Sequence, residues 1–254
     1  MSDLNGKTAL VTGAARGIGR AIALALGQHG ADVIINYVTS DDAAKQLAEE
    51  LRAMGRRAET VAADAISPEG IAQIFSRVQT QFGHLDIFVN NAIDVAAFGP
   101  LMRQKMDAWD HTVQRNTTAL LLSAQKCRPL MQGRRGKILS LSSLGSTYVI
   151  PGYAPIGVTK ASTEALTRYL AVELGKEGIN ANTLSAGPVD TDALRLFSTY
   201  GQMKEACETL SPAGRIGTVE DVAQVAVFLC SDAANWIYGQ TIIADGGLSL
   251  MSLR

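Results

Sequence analysis

Tyr153 and Lys160 stand seven residues apart, a short distance after the pair Ser142-Ser143. Over a helix that spacing is nearly two turns, about 10 Å of rise, so both side chains fall on one face. A phenol beside an ammonium is easier to use as an acid near neutral pH, because the cation favours the phenolate left behind. A serine hydroxyl close by can hold a substrate oxygen or the tyrosine itself, or it can merely end a strand. Asn116 is a further polar residue in a long helical pattern. Asparagine is a middling helix former, so it is either structural there or holds a water through a local bulge.

These groups need a scaffold, and the chain supplies an alternating one. Short apolar runs at 8–12, 32–37, 57–62, 85–90, 136–142, 179–184 and 240–244 predict seven strands. Helical patterns lie between them at 17–29, 41–54, 68–82, 105–131 (bent or ended near Pro129), 154–176 and 220–229. Strands of continuous apolar character separated by helices imply a parallel sheet covered on both faces. The expectation is one α/β domain over 1–254, a Rossmann-type doubly wound seven-stranded parallel sheet. Residues 188–216 are the one irregular stretch. Leu194, Leu196, Phe197, Tyr200 and Met203 there suit a lid over a ligand or an amphipathic helix packed on the sheet. Pro155 suits a first helical turn, which puts Tyr153 at the helix entrance.

Gly13, Ala15, Arg16, Gly17, Ile18 and Gly19 occupy the turn between the first strand and the first helix. Glycines there admit a pyrophosphate to the backbone, and the helix N-terminus offers it free N–H groups. At the end of the second strand a dinucleotide site selective for NAD usually carries an acid for the ribose hydroxyls. This chain has Asn36, Tyr37 and Ser40 instead. With no carboxylate to repel a 2′-phosphate and Arg16 near, NADPH is the expected cofactor. Asp64 and Ala65 follow strand three, and Asn90, Asn91 and Ala92 follow strand four. Carboxyl ends of strands are where an open α/β sheet binds ligands. Asp64 can take the adenine amino group or cap a helix, and Asn90 can fix the cofactor loop or simply turn the chain.

Together these motifs resemble the short-chain dehydrogenase/reductase family over essentially the whole chain. The matching pieces are the loop Thr12 to Gly19, Asp64, Asn90-Asn91-Ala92, Asn116, Ser143, Lys160, the stretch Gly187-Pro188-Val189-Asp190-Thr191, and Asp245-Gly246-Gly247. Most members carry Tyr-x-x-x-Lys, and four positions before Lys160 this chain has Ile156. Tyrosine with six residues between it and the lysine resembles the enoyl-acyl-carrier-protein reductases of the family, most of all type III. The resemblance implies catalytic roles for Tyr153, Lys160, Ser143 and Asn116, cofactor contacts from Lys160, Gly187, Val189 and Thr191 as well as the residues above, NADPH as cofactor, and an acyl-carrier-protein or CoA thioester as substrate. A carbonyl reductase is the second reading, and a nucleotide-binding protein without turnover the third. Ile93, where many members have glycine, narrows the floor near the nicotinamide. The family's habit implies a homotetramer built through helices 105–131 and 154–176.

Bulk properties agree with such an enzyme. The chain has 254 residues, 47% hydrophobic and 19% charged, with a formal net charge of -1. Nothing in that balance favours nucleic acid or an anionic membrane. Cys127, Cys207 and Cys230 are scattered without metal or redox spacing and fit a reducing cytoplasm, and no metal is expected. His29, His84 and His111 are isolated in sequence and read as structural or solvated. The N-terminus is polar and leads at once into a strand, without a signal-peptide pattern or a long apolar run.

Overall fold

The computed structural model describes residues 3–197 and 199–251. Seven parallel strands form one sheet: β1 (Thr8–Val11), β2 (Asp32–Tyr37), β3 (Ala58–Ala62), β4 (Ile87–Asn90), β5 (Lys137–Ser143), β6 (Asn180–Ala186) and β7 (Thr241–Ala244). Their order across the sheet is β3-β2-β1-β4-β5-β6-β7. The chain leaves β1 in one direction, then returns to lay β4 on its other side, so the crevice above β1 and β4 is the topological switch point where such sheets bind ligands.

Among the described residues eight α-helices lie between the strands: α1 (Gly17–Gln28), α2 (Asp41–Ala53), α3 (Pro68–Gln81), α4 (Met106–Leu130), α5 (Ala154–Gly175), α6 (Asp192–Arg195), α7 (Tyr200–Leu210) and α8 (Val219–Cys230). They divide by face. Ile22 and Leu26 of α1, Leu47 and Leu51 of α2, and Val222 and Ala226 of α8 bury against one side of the sheet with Val11, Val33 and Ile35. Ile71 and Ile74 of α3, Leu120 of α4, and Leu170 and Leu174 of α5 bury against the other with Leu10, Ile34 and Phe88. Burying one such side chain contributes about 1.5–3 kcal/mol. Phe88 is wholly buried and stacks at 5.9 Å on Phe75, so Phe88→Ala costs about 3–5 kcal/mol.

The expected doubly wound sheet is therefore present, with differences at element ends. β4 begins at Ile87, two residues after the expected start, and just before it the buried Asp86 carboxylate serves as a hub: it accepts from Thr8 N at 2.9 Å and from Arg134 Nε at 2.8 Å. α4 runs unbroken, since Pro129 sits in its last turn, where little helix follows to be disrupted. The irregular stretch 188–216 holds two helices, α6 and α7. Its base is anchored by paired backbone bonds, Asp190 N to Gly217 O at 2.9 Å and Gly217 N to Pro188 O at 3.1 Å. The three cysteines are buried separately as free thiols. Among the described residues no helix is long and apolar enough to cross a membrane.

Candidate active site

A cleft of about 570 Å³ opens at the switch point. Of the residues read as cofactor-binding, Gly13, Ala15, Arg16, Gly17, Ile18, Gly19, Asn36, Tyr37, Ser40, Asp64, Ala65, Asn91, Ala92 and Thr191 line it, together with Ile93 and Arg195. The glycine loop is drawn tight. A Cβ on Gly19 would collide with the carbonyl oxygen of Gly13 and lie 2.5 Å from the Asn91 amide, so only glycine lets α1 begin this close to the turn. The resulting helix N-terminus faces the cleft and fits a pyrophosphate. The guanidinium of Arg16, exposed at that terminus, makes no hydrogen bond or ion pair among the described residues.

Several expected contacts are spent on holding the cleft together. The Asn36 side chain is buried; its Oδ1 accepts from Gly13 N at 3.3 Å and its Nδ2 donates to Ala63 O at 2.8 Å and Val61 O at 3.2 Å. It shapes the glycine loop, with its amide already committed to backbone. The loop-fixing role expected of Asn90 falls to Asn91, whose Nδ2 donates to Thr12 O at 2.9 Å and Gly13 O at 3.3 Å. Asn90 itself ends β4, paired with Ser140 of β5. Gly187 N bonds Ala244 O at 3.0 Å, and Val189 is buried in a bridge to Gly217; neither lines the cleft. A carboxylate does stand beyond β2, contrary to the sequence reading: Asp41 accepts from the Tyr37 hydroxyl and pairs with Lys45 at 2.6 Å. Lys45 offsets its charge. Ser40 occupies the N-cap position of α2, yet its hydroxyl makes no cap bond.

The proposed reacting groups lie outside that lining, on β5 and α5. Tyr153 is the N-cap residue of α5, with Pro155 in the first turn, as the sequence predicts. Its hydroxyl lies 3.3 Å from Ser143 Oγ at the end of β5. Ser143 also caps the short turn Leu144–Ser146 by position, but its side chain makes no cap bond, so its hydroxyl is turned to the tyrosine. Gly145 makes room for the phenol ring, since a Cβ there would stand 2.6 Å from two ring carbons. Burial pushes the Tyr153 hydroxyl above its ordinary pKa, and the Ser143 hydrogen bond pulls the other way. Lys160 donates to Leu141 O at 2.7 Å. Burial pulls its ammonium down to about 8, against the opposing charge of Glu164. The direction for the phenol is thus set by its burial, and the expected easing by this cation is not seen in the structure as it stands.

Asn116 is buried in a continuous α4, so the bulge expected as one alternative is absent there. Its amide accepts from Asp94 N at 2.8 Å and donates to Asp94 O at 2.9 Å and Thr112 O at 2.6 Å, which pins the loop after β4.

Against known proteins, residues 13–249 match the family model described as Enoyl-(Acyl carrier protein) reductase. The chain belongs to the short-chain dehydrogenase/reductase family. It is 38% identical to a 1-cyclohexenylcarbonyl-CoA reductase of Streptomyces collinus, over 97% of this chain and 88% of that one. It is 37% identical to a 3-oxoacyl-[acyl-carrier-protein] reductase of Staphylococcus aureus, over 95% and 98%. Among solved structures, a short-chain dehydrogenase of Burkholderia cenocepacia J2315 in complex with NADP superposes with a TM-score of 0.88 at 34% identity, covering 97% of this chain and 99% of that one. The chain is thus an oxidoreductase whose relatives include reductases of CoA and carrier-protein thioesters.

Within this short-chain reductase, two sets of residues escaped sequence reading. Phe98 stacks edge-on to Tyr153 at 6.4 Å and to Phe197 at 5.3 Å, so it joins the loop after β4 to the 188–216 segment over the phenol. The second set is ionic. His111 is not isolated: its Nδ1 lies 3.0 Å from Asp94 Oδ2 and its Nε2 lies 2.7 Å from Arg115 Nη1. His84 likewise meets Thr8 Oγ1 at 3.0 Å.

Proposed function

We propose that this reductase uses NADPH to reduce the 2,3 double bond of an enoyl thioester on acyl-carrier protein or CoA, in fatty-acid or polyketide-type synthesis. The observation that carries this reading is the position of the phenol. Four residues before Lys160 stands the buried, apolar Ile156, while Tyr153 sits at the entrance to α5 with its hydroxyl against Ser143. NADPH, when bound, supplies hydride to C3 of the enoyl group. The C2–C3 π pair then moves to C1–C2 and the carbonyl π pair to the C1 oxygen, where negative charge builds until C2 takes a proton from solvent. That oxygen lies two carbons beyond the hydride acceptor, and a phenol displaced toward the helix start can follow it. Tyr153, holding its proton firmly, donates a hydrogen bond that strengthens as the charge develops. Ser143 orients the phenol. Lys160 keeps the local field positive and takes the nicotinamide ribose hydroxyls, and Asn116 keeps the loop after β4 in place.

For the cofactor, the tight loop before α1, the unengaged Arg16 and the free Ser40 hydroxyl fit a pyrophosphate and a 2′-phosphate. The Burkholderia relative is in complex with NADP. Residues 188–216 serve as a lid within one domain of 1–254, with Thr191 and Arg195 reaching the cleft. Tyr169 and Val172 leave large apolar area exposed on α5, 70% and 76% respectively, and Leu121 does so on α4; these surfaces suit a homotetramer. Free thiols fit the cytoplasm.

A carbonyl reductase is the second reading, favoured by the similarity to the Staphylococcus enzyme at 37% identity and by a serine–tyrosine hydroxyl pair able to polarise a ketone. The product separates the two. With a crotonyl thioester and NADPH deuterated at the transferred position, the proposal predicts a butyryl product carrying deuterium at C3. Recovery of unreacted crotonyl thioester, beside a 3-hydroxybutyryl product from an acetoacetyl thioester, contradicts it.

A further inference from the structure

Arg115 of α4 joins two carboxylates that belong to different loops of the cleft. Its Nη2 donates to Asp64 Oδ2 at 2.7 Å, and its Nη1 lies 3.1 Å from Asp94 Oδ2. Asp64 follows β3 and lines the adenosine end, where its Oδ1 also accepts from Ile66 N at 3.0 Å. Asp94 follows Ile93 in the loop that leaves β4 toward Phe98 and Tyr153. Its other carboxylate oxygen accepts from Ala96 N at 2.9 Å, and Asn116 grips its backbone N–H and carbonyl. Consecutive residues of one helix thus hold the side chain and the backbone of the same loop residue.

His111 completes the set, and its position fixes its tautomer. The guanidinium can only donate, so His111 Nε2 accepts at 2.7 Å, and its Nδ1–H donates to Asp94 at 3.0 Å. Arg115 therefore has all its partners on the two loops and its own helix. The side chains of Arg115 and Asp94 are 30% and 17% exposed, which shields that pair better than a surface contact, whereas Asp64 is 40% exposed and its pair is more open to solvent. A planar guanidinium engaged on both edges transmits displacement of one carboxylate to the other, as a flexible ammonium does not.

We propose that Arg115 is a positioning residue that couples the two ends of the cleft: filling the adenosine end settles Asp64, and through Arg115 fixes Asp94 and the 94–99 loop beside the reacting groups. The proposal rests on the reading that NADPH occupies the cleft. A contiguous chain of contacts is only a route, and coupling has to be measured.

The probe is adenosine 2′,5′-bisphosphate, which resembles the adenosine end of NADPH and has no nicotinamide. Amide hydrogen exchange is followed on the full chain in peptides covering Ala96 and Ala97, whose N–H groups bond Asp94 Oδ1 and Thr112 Oγ1. At saturating probe the wild-type protein is expected to slow these amides about tenfold. Arg115→Met abolishes the slowing while still binding the probe, and Arg115→Lys, able to reach one carboxylate, keeps part of it. Asp64→Asn, which leaves the Asp94 half of the network intact, also reduces it and serves if Arg115→Met folds poorly. A purely structural Arg115 would speed exchange equally with and without probe. Equal slowing in wild type, Arg115→Met and Asp64→Asn overturns the proposal. Probe binding by wild type without any slowing overturns it while leaving the cofactor reading intact. Failure of wild type to bind probe or NADPH removes both.

Discussion

The hydroxyl of Ser143 lies 3.3 Å from that of Tyr153. One residue ends a buried strand and the other opens a helix, so the pair is set by the packing of α5 on β5 rather than by a flexible loop. A phenol held this way serves as a fixed donor. Replacing Tyr153 with Phe is expected to cut turnover about 10²- to 10⁴-fold. NADPH affinity should stay within roughly twofold, since the adenosine cleft does not include the phenol. Steady-state rates with a crotonyl thioester and fluorescence titration of NADPH check both halves.

Gly145 tests the geometry without touching the phenol chemically. In Gly145→Ala the new methyl would stand 2.6 Å from two carbons of the Tyr153 ring and displace it. Misplacement by about 1 Å costs on the order of a hundredfold in rate. Activity should fall on that scale while NADPH binding is retained. Normal turnover in this variant would mean that the ring position seen here is not the working one.

Lys160 gives the pH dependence its sign. Its folded pKa, about 8, lies below the ordinary lysine value, so the ammonium is present below that pH and lost as pH rises through it. On the proposed mechanism, the positive field beside the developing enolate goes with it. The Tyr153 phenol is shifted upward and does not set this limb. Turnover per unit substrate, kcat/KM, is expected to decline as pH rises past about 8, and residual activity of Lys160→Arg, whose guanidinium stays charged, should lack that decline. A wild-type profile flat through the alkaline range would remove Lys160 from the charge balance of the reaction.

Cofactor choice should reside in Arg16. A charge-assisted hydrogen bond contributes about 1.5–3 kcal/mol, so Arg16→Ala should raise the KM for NADPH roughly 10- to 100-fold and leave that for NADH nearly unchanged. Equal changes for both cofactors would place the 2′-phosphate elsewhere.

Much of this architecture was legible from residue pattern alone. The apolar run at 32–37 became β2 with the same ends, because a strand buried on both faces leaves an uninterrupted signature. Pro155 located the start of α5 through its fixed backbone angle. The places of the glycine loop and Asp64 at the cleft were legible because strand ends precede a crevice in this topology, whereas the loop-fixing side chain is Asn91 and not the expected Asn90. What stayed hidden depends on side chains meeting across the fold. Arg115 is 51 residues from Asp64 and 21 from Asp94, and no local period announces that trio. The commitment of Asn36 to backbone acceptors on β3 and just after it, and the placement of Asp41 beside Tyr37, likewise follow from strand register and helix approach. Phe98 lay in a loop without periodicity, and its role emerges only where α5 and the 188–216 segment converge.

The central claim is that the displaced tyrosine makes this short-chain reductase an enoyl reductase. The most direct test follows NADPH oxidation optically with a crotonyl thioester and, under the same conditions, with an acetoacetyl thioester. Turnover of the crotonyl substrate, with the acetoacetyl substrate silent or far slower, is the predicted result. Turnover of the acetoacetyl thioester alone would contradict the account and make the chain a ketoreductase with an unusually placed tyrosine.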